Sequence, residues 1–197
     1  STDVPNPLPD CISVYLFVST AYGVLVEVVF HEGDITADQD KEELTNCYRA
    51  VYHALISLRP SYCSDVERPY KDLQAIYDSG NAHGKNYYWK SLLFDKKLSS
   101  DAIKQLVTHV TNSPLTSSIE IMHLGGAISK KKHSDTAFFQ RNAKYEIHCM
   151  SVWTESDIDL SIYRNWARDF SQILSPHSCN TSGYINTSTT DLHKVKE

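Results

Sequence analysis

Short β-branched and aromatic runs, followed by a capped amphipathic helix, recur in both halves of the chain, and this recurrence constrains the fold more than any other feature. Residues 11–19 and 22–31 are two such runs, joined by a turn near Ala21-Tyr22-Gly23 in the manner of an antiparallel hairpin. In the second run Val24, Val26, Val28 and Phe30 share one face while Leu25 and Val29 share the other, which predicts burial on both sides. Residues 87–94, YYWKSLLF, alternate so that Tyr87, Trp89, Ser91 and Leu93 lie on one face and Tyr88, Lys90, Leu92 and Phe94 on the other. Residues 118–124 and 144–153 are two further strands flanking a polar loop, and Gly125-Gly126 breaks the first where backbone has to approach something closely.

The helices are read from caps and stripes. Thr36 with Gln39 forms a capping-box pattern ahead of Leu44, Cys47, Tyr48, Val51, Leu55 and Leu58, which predicts a helix over 36–58, before Pro60. Ser99 or Ser100 caps a helix over 99–111, whose stripe is Ile103, Leu106, Val107 and Val110. Ser156 with Asp159 starts the longest helix, 156–175, with Leu160, Tyr163, Trp166, Ala167, Phe170, Ile173 and Leu174 inward and Pro176 as its stop. A short strand over 62–66 and a short helix over 70–77 complete the set. The expected fold class is α+β, a single antiparallel β-sheet with helices packed on one face. One domain over 11–186 is expected between a proline-rich extended lead-in, 1–10, and a C-terminal tail, 187–197.

Composition removes several classes of function. A net charge of −5 and a single basic block, Lys130-Lys131-Lys132, leave no cationic face for nucleic acid, so that block reads as a solvated loop. No apolar run has the length of a membrane span, so a soluble chain with no membrane partner is expected, with secreted and cytoplasmic locations both open. Five scattered cysteines, an odd number, fit neither a disulfide framework nor a zinc motif and read as free thiols. Asn180 and Asn186 head triplets that accept glycans in secreted proteins. The nine histidines lack metal-ligand spacing, so no metal is expected, and no Gly-x-Ser-x-Gly elbow marks a nucleophile.

A strand ending in Gly125-Gly126-Ala127, a spacer, Phe138-Phe139-Gln140-Arg141, and then Tyr145 and Trp153 on the next strand form the most specific pattern in the chain. With YYWKS at 87–91 and Tyr184-Ile185-Asn186, this resembles the substrate domain of the berberine-bridge-enzyme-like flavin oxidases, of the vanillyl-alcohol-oxidase class. The resemblance covers nearly the whole chain. Its start coincides with the point where that domain begins in the family, and residues 192–197 resemble the opening of the family's returning C-terminal segment. Departures are equally definite. Ile121-Met122-His123-Leu124 stands where many members have an acid shortly before the glycine pair, which leaves Glu120 as the nearest carboxylate. The family's Phe-Pro-His-Arg has lost its histidine here, and Tyr-x-Asn-Tyr-x-Asp has lost its second tyrosine and its aspartate. No glycine-rich dinucleotide signature and no flavin-linking motif is present, so the chain by itself is expected to hold no cofactor, FAD being supplied only by a flavin domain elsewhere.

The resemblance implies that the helix-free face of the sheet closes over a flavin ring carried by a separate domain and lines the substrate cavity. It makes Tyr87, Trp89, Met122, Arg141 and Tyr145 substrate-binding candidates. Glu120 and His123 become candidate proton-transfer groups, with Tyr184 or Arg141 stabilising negative charge that develops in a reaction. Strand parity puts Glu120 and Met122 on one face and His123 on the other. Judged on residue type alone, the aromatics read first as half-buried packing residues, and Glu120 and His123 first as structural polar groups. The expected partners are a hydrophobic aromatic or polycyclic small molecule and either a flavin-binding domain or a second copy of the chain. The alternatives are a flavin-free cyclase or isomerase and a non-catalytic binding module.

Overall fold

The computed structural model describes residues 8–31, 38–81, 83–138, 140–154, 159–179 and 183–188. Five antiparallel strands form one sheet: β1 (Ile12–Ser19), β2 (Gly23–Phe30), β3 (Asn86–Phe94), β4 (Ser118–His123) and β5 (Tyr145–Trp153), in the order β2-β1-β4-β5-β3. The sequence-adjacent hairpin β1–β2 forms one side. The centre is non-local, since β1 pairs with β4 and β5 lies between β4 and β3. The helices are α1 (Asp38–Ser57), the single-turn α2 (Tyr70–Gln74), α3 (Ser100–Thr111) and α4 (Leu160–Leu174).

The three long helices cover one face. Leu92 and Phe94 of β3, Ile119 of β4 and Ile147, Cys149 and Trp153 of β5 meet Ala102, Leu106 and Val110 of α3 and Trp166, Ala167, Phe170 and Leu174 of α4 in the main core. A smaller cluster joins Cys47 and Val51 of α1 to Ile12, Val14, Val28 and Phe30. These strand residues all have the same parity, so the opposite face, carrying Trp89, Glu120, Glu146 and His148, is free of long helices. One cap and one side-chain bond fix α3 and α4. The Ser99 side chain accepts from the Ala102 amide at 3.2 Å, and Trp166 locks α4 to α3 by donating its indole N–H to the His109 carbonyl at 3.1 Å.

Four local expectations are corrected. Helix α4 starts at Leu160 with Asp159, not Ser156, in the capping position; the Asp159 carboxylate accepts from the Ser161 amide at 2.9 Å, where the helix dipole favours a negative charge. Ser156 lies outside the described residues, as does the Thr36 cap expected for α1. Residues 62–66 form no strand; they are exposed and pair with none of the five strands. The helix expected over 70–77 stops at Gln74 and continues as turns. β2 is not buried on both sides. It is an edge strand whose Val24 and Leu25 are exposed, because α1 covers only its far half through Val28 and Phe30.

Candidate functional site

Register places the chemistry. One rung across the helix-free face reads Ser91, His148, Glu120 and Phe17; the next reads Leu93, Glu146, Met122 and Tyr15. His148 therefore stands between two carboxylates, one on the neighbouring strand and one two residues away on its own. Its Nε2 is 3.1 Å from Glu120 Oε2 and its Nδ1 is 3.6 Å from Glu146 Oε1. The His148 and Glu146 side chains are 2% exposed and Glu120 is 20% exposed, so Glu120 is the member of the group that meets the surface. Burial alone would push the imidazolium down, but hydrogen bonding to Glu120 and the negative charges of Glu120 and Glu146 outweigh it and raise His148 to about 9. The indole of Trp89 lies over this imidazole, ring centres 5.3 Å apart.

Aromatic surface extends from the group toward β1. Phe17 packs against Tyr77 at 5.6 Å between ring centres, and the Tyr77 hydroxyl donates to the Glu27 carboxylate. Burial first, and then that hydrogen bond and the charges of Glu27 and Glu120, push the Tyr77 hydroxyl far up; burial likewise raises Tyr15. At the other side the tail folds over β3. The Tyr184 amide donates to Ser91 Oγ at 2.8 Å, the Thr187 hydroxyl donates to Glu146 Oε1, and the Tyr184 ring meets Phe138 edge-on at 5.6 Å. Gly183 permits this approach, because a Cβ there would lie 2.1 Å from both the Ser91 carbonyl oxygen and Oγ. Asn186 Nδ2 donates to the Tyr184 hydroxyl at 2.7 Å, which engages the nitrogen that a glycan would require.

The residues singled out from sequence divide between several environments. Tyr87, Trp89, Glu120 and Met122 share the helix-free face, with Met122 packed against Leu93, Leu124, Ala143 and Phe138, and Tyr184 covers its β3 side. Tyr145 lies on the opposite, helical face, stacked on Phe94 with ring centres 5.7 Å apart and donating its hydroxyl to the Lys96 carbonyl. His123 has the same parity as Tyr145, so it too is separated from Glu120 by the sheet. Its half-buried ring occupies the space that a side chain at Gly125 would need, and desolvation pushes its imidazole below the ordinary value. Arg141 is buried beneath the 126–138 loop, where it donates to the Ile128 carbonyl at 3.2 Å and to the Thr136 hydroxyl and sits 5.1 Å from the centre of the Phe138 ring. It organises that loop.

Sequence reasoning passed over His148 and Glu146. The signal was available: two ionisable residues at positions i and i+2 of an otherwise apolar strand, both opposite in parity to Ile147 and Cys149.

No protein-family model matches the sequence, and no curated protein matches it. Solved structures do match. A variant of berberine bridge enzyme superposes with a TM-score of 0.69 at 17% identity over 96% of this chain, and CrmK, a flavoenzyme of caerulomycin biosynthesis, with 0.66 at 17% over 98%. BBE-like #28 from Arabidopsis thaliana gives 0.64 at 12% over 94%. The fold is that of a part of the berberine-bridge-like oxidoreductases. The chain spans only 39%, 41% and 41% of those three structures, respectively. The close backbone approaches of this berberine-bridge-like fold are taken up by the chain itself. Gly126, at φ +62°, backs onto Asp10, Gly125 onto His123 and Gly183 onto Ser91. Lys130 of the basic block is engaged with Asp10 at 2.6 Å. Among the described residues no cluster of His, Cys, Asp and Glu has the makings of a metal site, and no helix is long and apolar enough to cross a membrane.

Proposed function

We propose that this chain is the substrate-recognition part of a berberine-bridge-like oxidoreductase, binding a hydrophobic aromatic or polycyclic small molecule on the helix-free face of its sheet. Redox chemistry then belongs to an FAD held by another domain, on the same polypeptide or on a partner, and this part alone is redox-inert. The observation that carries the proposal is the composition of that face. Trp89, Phe17, Tyr15 and Tyr77 supply aromatic area around the surface-facing carboxylate of Glu120, with Glu27 tied to the Tyr77 hydroxyl beyond it, as small-molecule sites combine apolar walls with a few placed polar groups.

Within this reading Glu120 is the group that meets the ligand, as hydrogen-bond acceptor or proton acceptor. His123, across the sheet, has no part in it. Titration of the isolated chain with a panel of polycyclic aromatic compounds tests the reading. Binding should quench Trp89, since Trp153 and Trp166 are buried in the helical core. NMR shift changes should centre on β3, β4 and β5 positions of the helix-free parity, and Trp89→Phe should remove the quench. Shift changes confined to α3 and α4, or flavin absorbance retained stoichiometrically by the purified chain, would overturn the assignment.

A further inference from the structure

We propose that His148 is a positioning residue that fixes the orientation of Glu120 on the helix-free face and couples it to docking of the Tyr184 tail through Glu146 and Thr187. The inference rests on the reading of this face as the ligand surface. Its links are a continuous run of contacts: Thr187 hydroxyl to Glu146 Oε1, Glu146 Oε1 to His148 Nδ1 at 3.6 Å, and His148 Nε2 to Glu120 Oε2 at 3.1 Å. The run is buried at its centre and meets the surface at Glu120. His148 and Glu146 are almost wholly buried, Trp89 covers the imidazole, and Ser91, the cross-strand partner of His148, takes the Tyr184 amide at 2.8 Å.

The buried imidazolium holds Glu146 in one orientation, because rotation away would leave its charge unpaired in an apolar surround, and it gives the surface-facing Glu120 a charged partner on its protein side. When the tail docks, the Thr187 hydroxyl hydrogen-bonds Glu146, whose Oε1 lies 3.6 Å from His148 Nδ1, beyond hydrogen-bond reach, so Glu146 acts on the imidazole through its charge. The orientation of Glu120 is thereby set from the opposite side of the sheet's β5–β3 border. The charged and titratable groups facing this run are Glu120 from β4, Glu146 from β5, Tyr184 from the tail, and, beyond Glu120, Tyr15 of β1, Glu27 of β2 and Tyr77.

The test uses the chain with isotope labels and follows two sites at once: the protection factor of the Tyr184 amide and the side-chain carboxyl ¹³C signal of Glu120. Through the titration of the His148 imidazole in the wild type, Tyr184 protection should fall about tenfold and the Glu120 signal should move with the same midpoint, a tenfold change being one pKa unit's worth of interaction. His148→Gln, which keeps a donor but does not titrate, should flatten both profiles. Thr187→Val, which does not touch Glu120, should still shift its carboxyl signal. Tyr184 protection and Glu120 signal indifferent to His148 titration in the wild type would overturn the proposal, as would unchanged profiles in His148→Gln or an unmoved Glu120 signal in Thr187→Val. The wild-type and Thr187→Val measurements decide the matter even where His148→Gln does not fold. Coupling in a chain that shows neither Trp89 quenching nor helix-free-face shift changes with the polycyclic aromatic panel would refute the ligand-surface reading and leave the coupling standing.

Discussion

Replacement of His148 by glutamine should remove a specific slope from the pH dependence of folding stability. In the folded chain the imidazole is raised from 6.5 to about 9 by Glu120 and Glu146 against the opposing effect of burial. An imidazole in the unfolded chain titrates near the ordinary value, so the folded state binds the proton more tightly. Because the folded value lies above the unfolded one, the stabilisation is fully present below about pH 6.5, while both carboxylates are ionised, and is lost progressively as pH rises through about 9. A difference of that size corresponds to about 3 kcal/mol. The side chain is 2% exposed, so solvent screening takes little from this figure. Urea unfolding at a series of pH values between these limits measures it. Wild type should lose about 3 kcal/mol more than His148→Gln across the window, other titrating groups being common to both chains. Parallel stability profiles for the two would refute the reasoning, since they would mean that the imidazole carries no extra proton in the folded state.

Three further perturbations have definite outcomes. Phe170→Ala empties a fully buried position between α4, α3 and the sheet and should cost about 3–5 kcal/mol in urea unfolding; a loss under about 1 kcal/mol would contradict the packing described. Arg59 turns the chain off α1 at φ +54°, a conformation that costs an L-residue about 1 kcal/mol or more, so Arg59→Gly should raise the unfolding midpoint and an unchanged or lowered midpoint counts against it. Gly183→Ala should release the tail, because the new methyl meets the Ser91 carbonyl; faster protease cleavage within residues 183–188 with unchanged far-ultraviolet circular dichroism is expected, and unaltered cleavage would show the tail to be held elsewhere.

Which residues share a face was legible in the sequence wherever one element decides it. The alternation of YYWKSLLF put Trp89 and Leu92 on opposite sides before any partner strand was known, whereas of the stripe expected on α3 only Leu106 and Val110 are buried, Ile103 and Val107 being exposed and Ala102 and His109 turned inward instead. Local cues were weaker at ends: Ser156 was expected to cap α4 with Asp159 as its capping-box partner, but Asp159 itself takes the cap, a shift that periodicity does not reveal. Nothing local marked β2 as an edge, since exposure depends on where α1 lands. The candidate site was the least legible part. Glu120 and Trp89 could be proposed from their own strands, but His148 joins them only because β4 and β5 pair with Glu120 opposite His148, 28 residues further along the chain. A slip of one residue in that pairing would set an isoleucine against the imidazole and dissolve the group. Strand parity is written into each segment by its backbone geometry, whereas register and strand order are settled by contacts between distant segments, and the Glu120–His148–Glu146 group exists only at that second level.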